Sequence, residues 1–182
     1  MNYVRYAYLF FICLFGCLKA AQLIRDHTHI GIDDNGKGVV IFEDKNAGLI
    51  MSAVYSGGTW STSTTISTAG MASYFPYLVF DVNSGYAMAV WLSSDTTNGA
   101  YLLYGSVYVP GTGTGTGWSK TPFQITSNNV SVIPDSINLS INHEGGINTG
   151  LATWRQFDNG NIEIGVATGT VTNGWSSGST VS

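Results

Sequence analysis

Two histidines stand two positions apart near the start of the chain, His27 and His29, and Asp26 comes directly before them. On a β-strand this spacing points both imidazoles to the same face, as in a metal-binding pair. A metal centre needs three or four ligands, however, and His143 is the only other histidine in the sequence. We therefore interpret the segment as the polar start of a strand and predict neither a metal site nor a cofactor.

Two glutamates, Glu43 and Glu163, lie in or beside apolar segments and are candidates for the carboxylate pair that most glycoside hydrolysis requires. The simpler interpretation is that each glutamate side chain lies on a strand face in contact with solvent. The chain has no Gly-x-Ser-x-Gly nucleophile motif and no glycine-rich phosphate-binding loop. These observations predict that the chain is not an enzyme.

Aromatic side chains are the remaining candidates for recognition, because such rings stack on sugars or anchor protein partners. The candidates for ligand stacking are Tyr74, Phe75, Tyr101, Tyr104 and Phe157. Charge argues against a nucleic acid partner, since residues 21 to 182 contain five Lys and Arg against eleven Asp and Glu. The expected partner is therefore a glycan or a protein.

The first twenty residues have the pattern of a secretory signal peptide. Arg5 precedes an apolar run from Tyr6 to Leu18, and the small residues Ala20 and Ala21 follow. The run is too short for a comfortable transmembrane helix. We predict a signal peptide over residues 1–20, a mature domain over 21–182, and a protein that is secreted or held at the cell envelope.

Both cysteines of the chain, Cys13 and Cys17, lie in this segment, so the predicted mature domain has no disulfide framework. The sequence Leu14-Phe15-Gly16-Cys17 resembles a bacterial lipobox, in which the cysteine carries a lipid after cleavage. Lipidation of Cys17 is thus an alternative to cleavage near Ala20 or Ala21. It would provide the only membrane attachment that the sequence suggests.

The most informative pattern is a threefold internal repeat over Ile32 to Ile66, Phe80 to Ile125 and Ile141 to Val181. In each copy an apolar segment ends in a large aromatic residue, and a Gly-x-Trp-Ser-like corner follows. The corner tryptophans are 58 and 57 residues apart. Because these positions recur, we predict a structural role for their aromatic residues: Phe42, Trp60, Trp91, Trp118, Trp154 and Trp175.

Each copy contains four short segments with strand periodicity, separated by Asp, Asn and Gly turns. In the central copy the predicted strands are roughly Tyr77 to Val82, Tyr86 to Leu92, Tyr101 to Val109 and Phe123 to Thr126. The second strand is the most apolar, which predicts that it is covered on both faces. The pattern predicts an all-β fold: three four-stranded antiparallel blades of a partial β-propeller, over about 30–67, 76–126 and 134–182.

This pattern resembles the repeats of bacterial sialidase-like, BNR-type β-propeller proteins, and the resemblance covers nearly all of the mature chain. Those repeats often carry an Asp-box, Ser-x-Asp-x-Gly-x-Thr-Trp. Gly57, Thr59 and Trp60 match its end, whereas Ala53 and Tyr55 replace its Ser and Asp. Sialidases bind the substrate carboxylate through three arginines, so the resemblance implies that a chain with this activity would contain them. After residue 20 this chain contains only two, Arg25 and Arg155.

Propellers close with about four to eight blades, so three predicted blades form an open or truncated arc, or assemble with further copies into a homo-oligomer. The sequence therefore predicts an exported, non-catalytic propeller module that binds a glycan or a protein at the envelope or cell surface. The alternative is an incomplete fragment of a sialidase-like glycoside hydrolase.

Overall fold

The computed structural model describes residues 27–95, 99–111, 117–119, 121–144 and 147–181, and every regular element in these ranges is a β-strand. The strands form three antiparallel sheets that follow one another along the chain, one of them curled like half a barrel. The all-β prediction is confirmed. The predicted signal peptide, including Cys17, lies outside the described residues.

Sheet 1 comprises β1 Thr28–Ile32, β2 Gly38–Asp44, β3 Leu49–Ser56, β4 Thr59–Trp60 and β5 Thr64–Thr65. Sheet 2 comprises β6 Ser73–Phe80, β7 Ala87–Ser94, β8 Tyr101–Tyr108 and β9 Phe123–Gln124. Sheet 3 comprises β10 Val130–Val132, β11 Asn138–Glu144, β12 Ile147–Asp158, β13 Asn161–Thr170, β14 Gly174–Trp175 and β15 Ser179–Val181. Sheets 1 and 3 thus have five and six strands rather than the predicted four.

The extra strands arise because single edge strands are broken into two pieces. Both β4 and β5 pair with β3, both β14 and β15 pair with β13, and both β10 and β11 pair with β12. In sheet 2 the first piece of the outer strand is a single bridge between Tyr108 and Trp118. Each sheet is therefore a meander of four strand positions whose outermost position is interrupted.

The Gly-x-Trp-Ser corner builds the first piece of each outer strand. The glycine has a left-handed backbone, with φ of 84°, 77° and 75° at Gly58, Gly117 and Gly174, which a residue with a Cβ adopts only at a cost. The serine then donates its backbone N–H to a third-strand carbonyl and accepts the N–H of that same residue on its hydroxyl. The pairs are Ser61 with Val54, Ser119 with Val107, and Ser176 with Thr168.

Sheet 2 packs against both other sheets through its two faces. Ile41, Ile50 and Ile66 of sheet 1 pack against Ala89, Trp91, Leu102 and Tyr104 of sheet 2. The other face of sheet 2, including Met88, Val90 and Leu103, packs against Ala152, Trp154, Ala167 and Trp175 of sheet 3. A hydrophobic core on each face of sheet 2 therefore joins the three sheets in chain order, and the core toward sheet 1 includes a further cluster of Val39, Ala87 and Tyr108.

The second strands do not all have the predicted burial. In β7 every residue from Ala87 to Ser93 is buried, but β2 and β12 are buried mainly on the face toward sheet 2. The prediction of two covered faces is right for β7 alone, because among the described residues sheets 1 and 3 have a neighbouring sheet on one side only. Trp91 and Trp154 fill the cores, whereas Phe42 is half-buried on the outward face of sheet 1.

Two corner tryptophans contact the same register position of the preceding sheet. The Trp118 Nε1 donates to the Ser52 hydroxyl at 2.8 Å, across from sheet 2 to the third strand of sheet 1. Trp175 lies on Gly105 in the third strand of sheet 2, so closely that a Cβ there would be 2.4 Å from the ring. Ser52 and Gly105 have the same register position, opposite Ile41 and Val90. Trp60 differs because sheet 1 is the first described sheet, so its ring contacts Tyr55 of its own sheet and no preceding sheet.

The first strands of the three sheets are neighbours. The first strand of sheet 2, β6, packs against β1 of sheet 1 and also against β11 of sheet 3. The inner edges of the sheets therefore converge, and the loops at the ends of these strands meet.

Candidate functional site

Four aromatic rings meet where the inner strands converge, and we call them the aromatic cluster: His27, Tyr74, Phe75 and Tyr101. The ring centroids of His27 and Phe75 are 4.8 Å apart, edge to face. Tyr74 lies between Phe75 and Tyr101, and its ring centroid is 6.3 Å and 6.2 Å from theirs. The planes of the Tyr74 and Tyr101 rings are at 89° to each other. All four residues are half-buried, so each is partly accessible to a ligand.

A β-bulge creates the cluster. The pairing of β6 with β7 shifts between Tyr74 and Tyr77, and Phe75 has a φ of 51°. For a bulky residue this conformation costs about 1–2 kcal/mol. Bulges commonly re-aim a side chain beside a functional site, and such strain concentrates where a site requires it.

A buried carboxylate from the neighbouring sheet supports the bulge. The Phe75 backbone N–H, released from the strand ladder, donates to the Glu43 Oε2 at 3.4 Å, and Glu43 is 5% exposed. On the other side, the Tyr101 N–H donates to the Ser131 hydroxyl of sheet 3 at 3.1 Å. The cluster is thus positioned by all three sheets, and sites at such junctions are common places for ligands.

A second ring pair, His29 and Tyr77, continues the cluster along the same two strands, with centroids 5.5 Å apart. Burial, and secondarily the neighbouring His27, lowers the pKa of His29, so this imidazole is neutral at pH 7. Burial, with a contribution from Asp135, raises the pKa of Tyr77 and keeps the phenol protonated. No group of three or more His, Cys, Asp or Glu side chains suited to a metal occurs within the described ranges.

The structure therefore brings together three of the five residues predicted to stack on a ligand: Tyr74, Phe75 and Tyr101. Tyr104 does not belong to this site, because its side chain is buried toward sheet 1 and its hydroxyl donates to the Gln124 Oε1 at 2.8 Å. Phe157 is 48% exposed, but it lies on the outward face of sheet 3. The two are ruled out of the cluster by the strand face on which they lie.

A polar network at the opposite ends of the inner strands was not predicted from the sequence. The Asp81 carboxylate accepts a hydrogen bond from the Ser84 hydroxyl. The Ser84 oxygen in turn accepts one from the Asn148 side-chain amide at 2.8 Å. The His143 Nδ1 lies 2.7 Å from the Asn148 Oδ1 and 3.3 Å from the Asp81 Oδ2. The sequence predicted a turn between Val82 and Tyr86, which includes Ser84, but nothing in it indicated contact with Asn148, which is fully buried.

The network connects sheets 2 and 3 and does not have the geometry of a nucleophile. The Ser84 hydroxyl is directed to a carboxylate rather than to the imidazole, whereas nucleophilic catalysis requires the base to take that proton. Burial by itself would raise the pKa of Asp81. The hydrogen bonds from Ser84 and the Asn83 backbone, with nearby His143 and Asn148, outweigh burial and hold the pKa of Asp81 below its usual range.

Replacement of Asp81 by Asn is expected to lower the free energy of unfolding most at neutral pH. A carboxylate with a lowered native pKa contributes stability above its unfolded pKa of 3.8 and loses it as the pH falls through the native value. Urea unfolding of both proteins from pH 7 down to pH 2 measures this, and the difference between them should shrink below pH 3.8. A pH-independent difference would contradict it. Ser84→Ala removes a hydrogen-bond donor to the Asp81 carboxylate. It should also lower the free energy of unfolding more at neutral pH than below pH 3.8.

A groove of about 370 Å³ between the outer parts of sheets 2 and 3 is a second candidate for binding. Trp118, Trp175 and Phe123 contribute to its wall. Trp175 is only 3% exposed and the Trp118 N–H is bonded to Ser52, which leaves Phe123, 41% exposed, as the freest ring. We place the candidate site at the aromatic cluster, where four accessible rings meet.

Comparison with known proteins found no matching family model and no similar curated sequence. Across the described ranges, the structure has no helix of the length and apolarity needed to cross a membrane.

Proposed function

We propose that the chain is an exported, non-catalytic β-propeller-type module whose three sheets are successive blades and whose aromatic cluster binds a glycan. Three features support the blade assignment. The sheets are meanders stacked in chain order, their first strands are neighbours, and each corner serine bonds to the equivalent third-strand residue. Antiparallel four-stranded units of this kind are typical of propellers.

The convergence of Tyr74, Phe75, Tyr101 and His27 around a strained bulge is the observation that carries the ligand proposal. Aromatic faces bind the apolar faces of sugar rings, and the backbone and hydroxyl groups beside them can orient the sugar hydroxyls. The adjoining His29 and Tyr77 are uncharged at pH 7. The proposed ligand is therefore a neutral glycan, and a protein partner is the competing outcome.

The positions of the two candidate catalytic carboxylates favour binding over hydrolysis. Glu43 is buried and holds the Phe75 N–H, and Glu163 is on β13 of sheet 3, in a different sheet. A general acid and a nucleophile must flank one bond, about 5–10 Å apart. A glycoside hydrolase fragment is the alternative proposal, and it would require catalytic residues other than Glu43 and Glu163.

Export is proposed from the N-terminal pattern of Arg5, the apolar run and the small residues Ala20 and Ala21. The mass of the N-terminal peptide of the cell-derived protein distinguishes the two processing routes. Cleavage near Ala20 gives an unmodified peptide, whereas the lipoprotein route gives a lipid on Cys17.

A glycan array followed by calorimetric titration tests the binding function. The protein is expected to bind neutral oligosaccharides, and Tyr74→Ala is expected to weaken binding about tenfold or more, because central aromatic contacts typically contribute more than about 1 kcal/mol. Tyr86→Ala is the matched control, since this half-buried tyrosine lies at the other end of sheet 2.

Loss of binding in Tyr86→Ala but not in Tyr74→Ala would place the site elsewhere. Absence of any glycan ligand, together with a Tyr74-dependent protein partner in a pull-down, would replace the glycan with a protein.

A further inference from the structure

The outward face of sheet 3 is apolar although no described residue covers it. Along β12 and β13 this face presents alternate residues, with Leu151 41% exposed and Ile164 45% exposed, and Val181 of β15 beside them is 59% exposed. Arg155 is the only charged residue of β12, β13 and β15 on this face, and Glu144 at the end of β11 is the other charged position. Apolar patches of this kind mark interaction sites.

The same register positions are fully buried in the other two sheets. Leu151 corresponds to Val39 and Met88, both 0% exposed, and Val181 corresponds to Ile66 and Ile125, 5% and 2% exposed. In sheets 1 and 2 the next sheet along the chain covers these residues. Sheet 3 therefore has the composition of a face that a further sheet covers.

The outward face of sheet 1 carries the opposite half of such an interface. At the register positions that Trp91, Tyr108 and Trp118 have in sheet 2, sheet 1 has Phe42, Tyr55 and Trp60. Ile30, 42% exposed, stands at the position of Leu78 and Leu139, which pack into the two cores. Asp44 is the one charged residue at the described strand positions of this face, so it is mainly uncharged, as the outward face of sheet 3 is.

We propose that the outward face of sheet 3 binds the outward face of sheet 1 of a second copy of this chain, and that two copies close a ring of six blades. A head-to-tail interface gives a ring when the rotation closes. Propellers have about four to eight blades, and six is the only multiple of three in that range. The inference rests on the blade assignment of the proposed function and is independent of its ligand.

The repeat predicts the contact at the new junction. Trp118 lies against Ser52 and Trp175 against Gly105, and the equivalent third-strand position in sheet 3 is Val166, opposite Thr153. Trp60 of the second copy would therefore lie on Val166. Within one copy the ring contact of Trp60 is with Tyr55 of its own sheet, whereas Trp118 and Trp175 each also contact the preceding sheet.

Native mass spectrometry and sedimentation equilibrium of the protein, expressed at full length with its own N-terminal segment, test the proposal. The expected mass is twice that of the monomer. Ile164→Glu places a charge in the centre of the sheet 3 face and is expected to weaken dimerisation at least a hundredfold. Val82→Glu is the matched control, because Val82 is 47% exposed in the β6–β7 turn, away from both faces, and this variant should stay dimeric.

A mixing experiment distinguishes the head-to-tail ring from a pairing of identical faces. Ile30→Glu and Ile164→Glu should each be monomeric alone, but a 1:1 mixture should form heterodimers, since the first variant keeps an intact sheet 3 face and the second an intact sheet 1 face. If sheet 3 instead paired with sheet 3, Ile30→Glu would remain a dimer by itself.

A monomeric or trimeric wild-type protein, or open chains of copies, would overturn the proposal. Circular dichroism confirms that each variant is folded, and Leu151→Glu replaces Ile164→Glu if that variant is not. Failure of the glycan proposal would be seen separately, because Tyr74→Ala should weaken glycan binding and leave the protein dimeric.

Discussion

Replacement of Gly165 by alanine is expected to destabilise the protein by about 2–3 kcal/mol, within the usual range for overpacking a core. A Cβ at Gly165 would be 2.2 Å from the Trp154 Cε2 and 2.3 Å from its Nε1, and Trp154 is 2% exposed between the sheets. A glycine to alanine change that the backbone tolerates normally stabilises by about 0.4–1 kcal/mol. Gly165 does not have a left-handed φ, so the expected sign is reversed by the ring contact alone.

A double-mutant cycle with Trp154→Phe tests this cause. Phenylalanine is smaller than tryptophan, and its ring can shift away from Gly165 into the space that the outer ring of the indole leaves. By itself Trp154→Phe should cost about 1–3 kcal/mol, because the Gln156 Oε1, now 2.7 Å from the indole N–H, loses its donor in a buried position. The double variant should be more stable than the sum of the two effects predicts. Additive effects in urea unfolding would show that the contact does not cause the loss.

The repeated positions were predictable from the sequence because the same physical constraint recurs in each copy. The corner glycines need a left-handed backbone, and each corner serine bonds twice to the third strand. A structural role for Trp91 and Trp154 was also predicted from repetition, and both residues lie in the cores. Local constraints of this kind are written in short segments, and pattern analysis detects them.

The site was less predictable because it depends on contacts between distant segments. Glu43 and Phe75 are 32 positions apart, and Ser84 and Asn148 are 64 apart. The bulge at Phe75 shifts the strand by one residue, which changes the face on which each later side chain lies. The same alternation buries Tyr104 and leaves Phe157 on an outward face, a distinction that composition alone does not give.

The interruption of the outer strands was missed for a related reason. In each sheet the corner tryptophan begins the outer position, and a few residues leave the ladder before pairing resumes at Thr64, Phe123 or Ser179. The strand pieces have only two or three residues. Pieces this short carry no detectable periodicity, so the sequence shows only the corner motif.

Removal of the Trp91 ring is expected to have the largest effect of any single change. Trp91 is 0% exposed in the core that joins sheets 1 and 2, and Trp91→Ala should cost about 3–5 kcal/mol, a large part of the roughly 5–15 kcal/mol that stabilises a typical domain. The cavity would lie at the junction, so sheet 1 should lose amide protection before sheet 3 does. Hydrogen exchange with urea unfolding measures both quantities.

Trp91→Phe should cost much less than Trp91→Ala, and also less than Trp154→Phe. The Trp91 N–H is buried without a hydrogen-bond partner in the described part of the chain, so phenylalanine removes an unsatisfied donor along with part of the ring. The Trp154 N–H, by contrast, is bonded to a buried acceptor. Equal losses for the two tryptophan to phenylalanine changes would mean that ring volume, and not hydrogen bonding, decides which aromatic residue each core accepts.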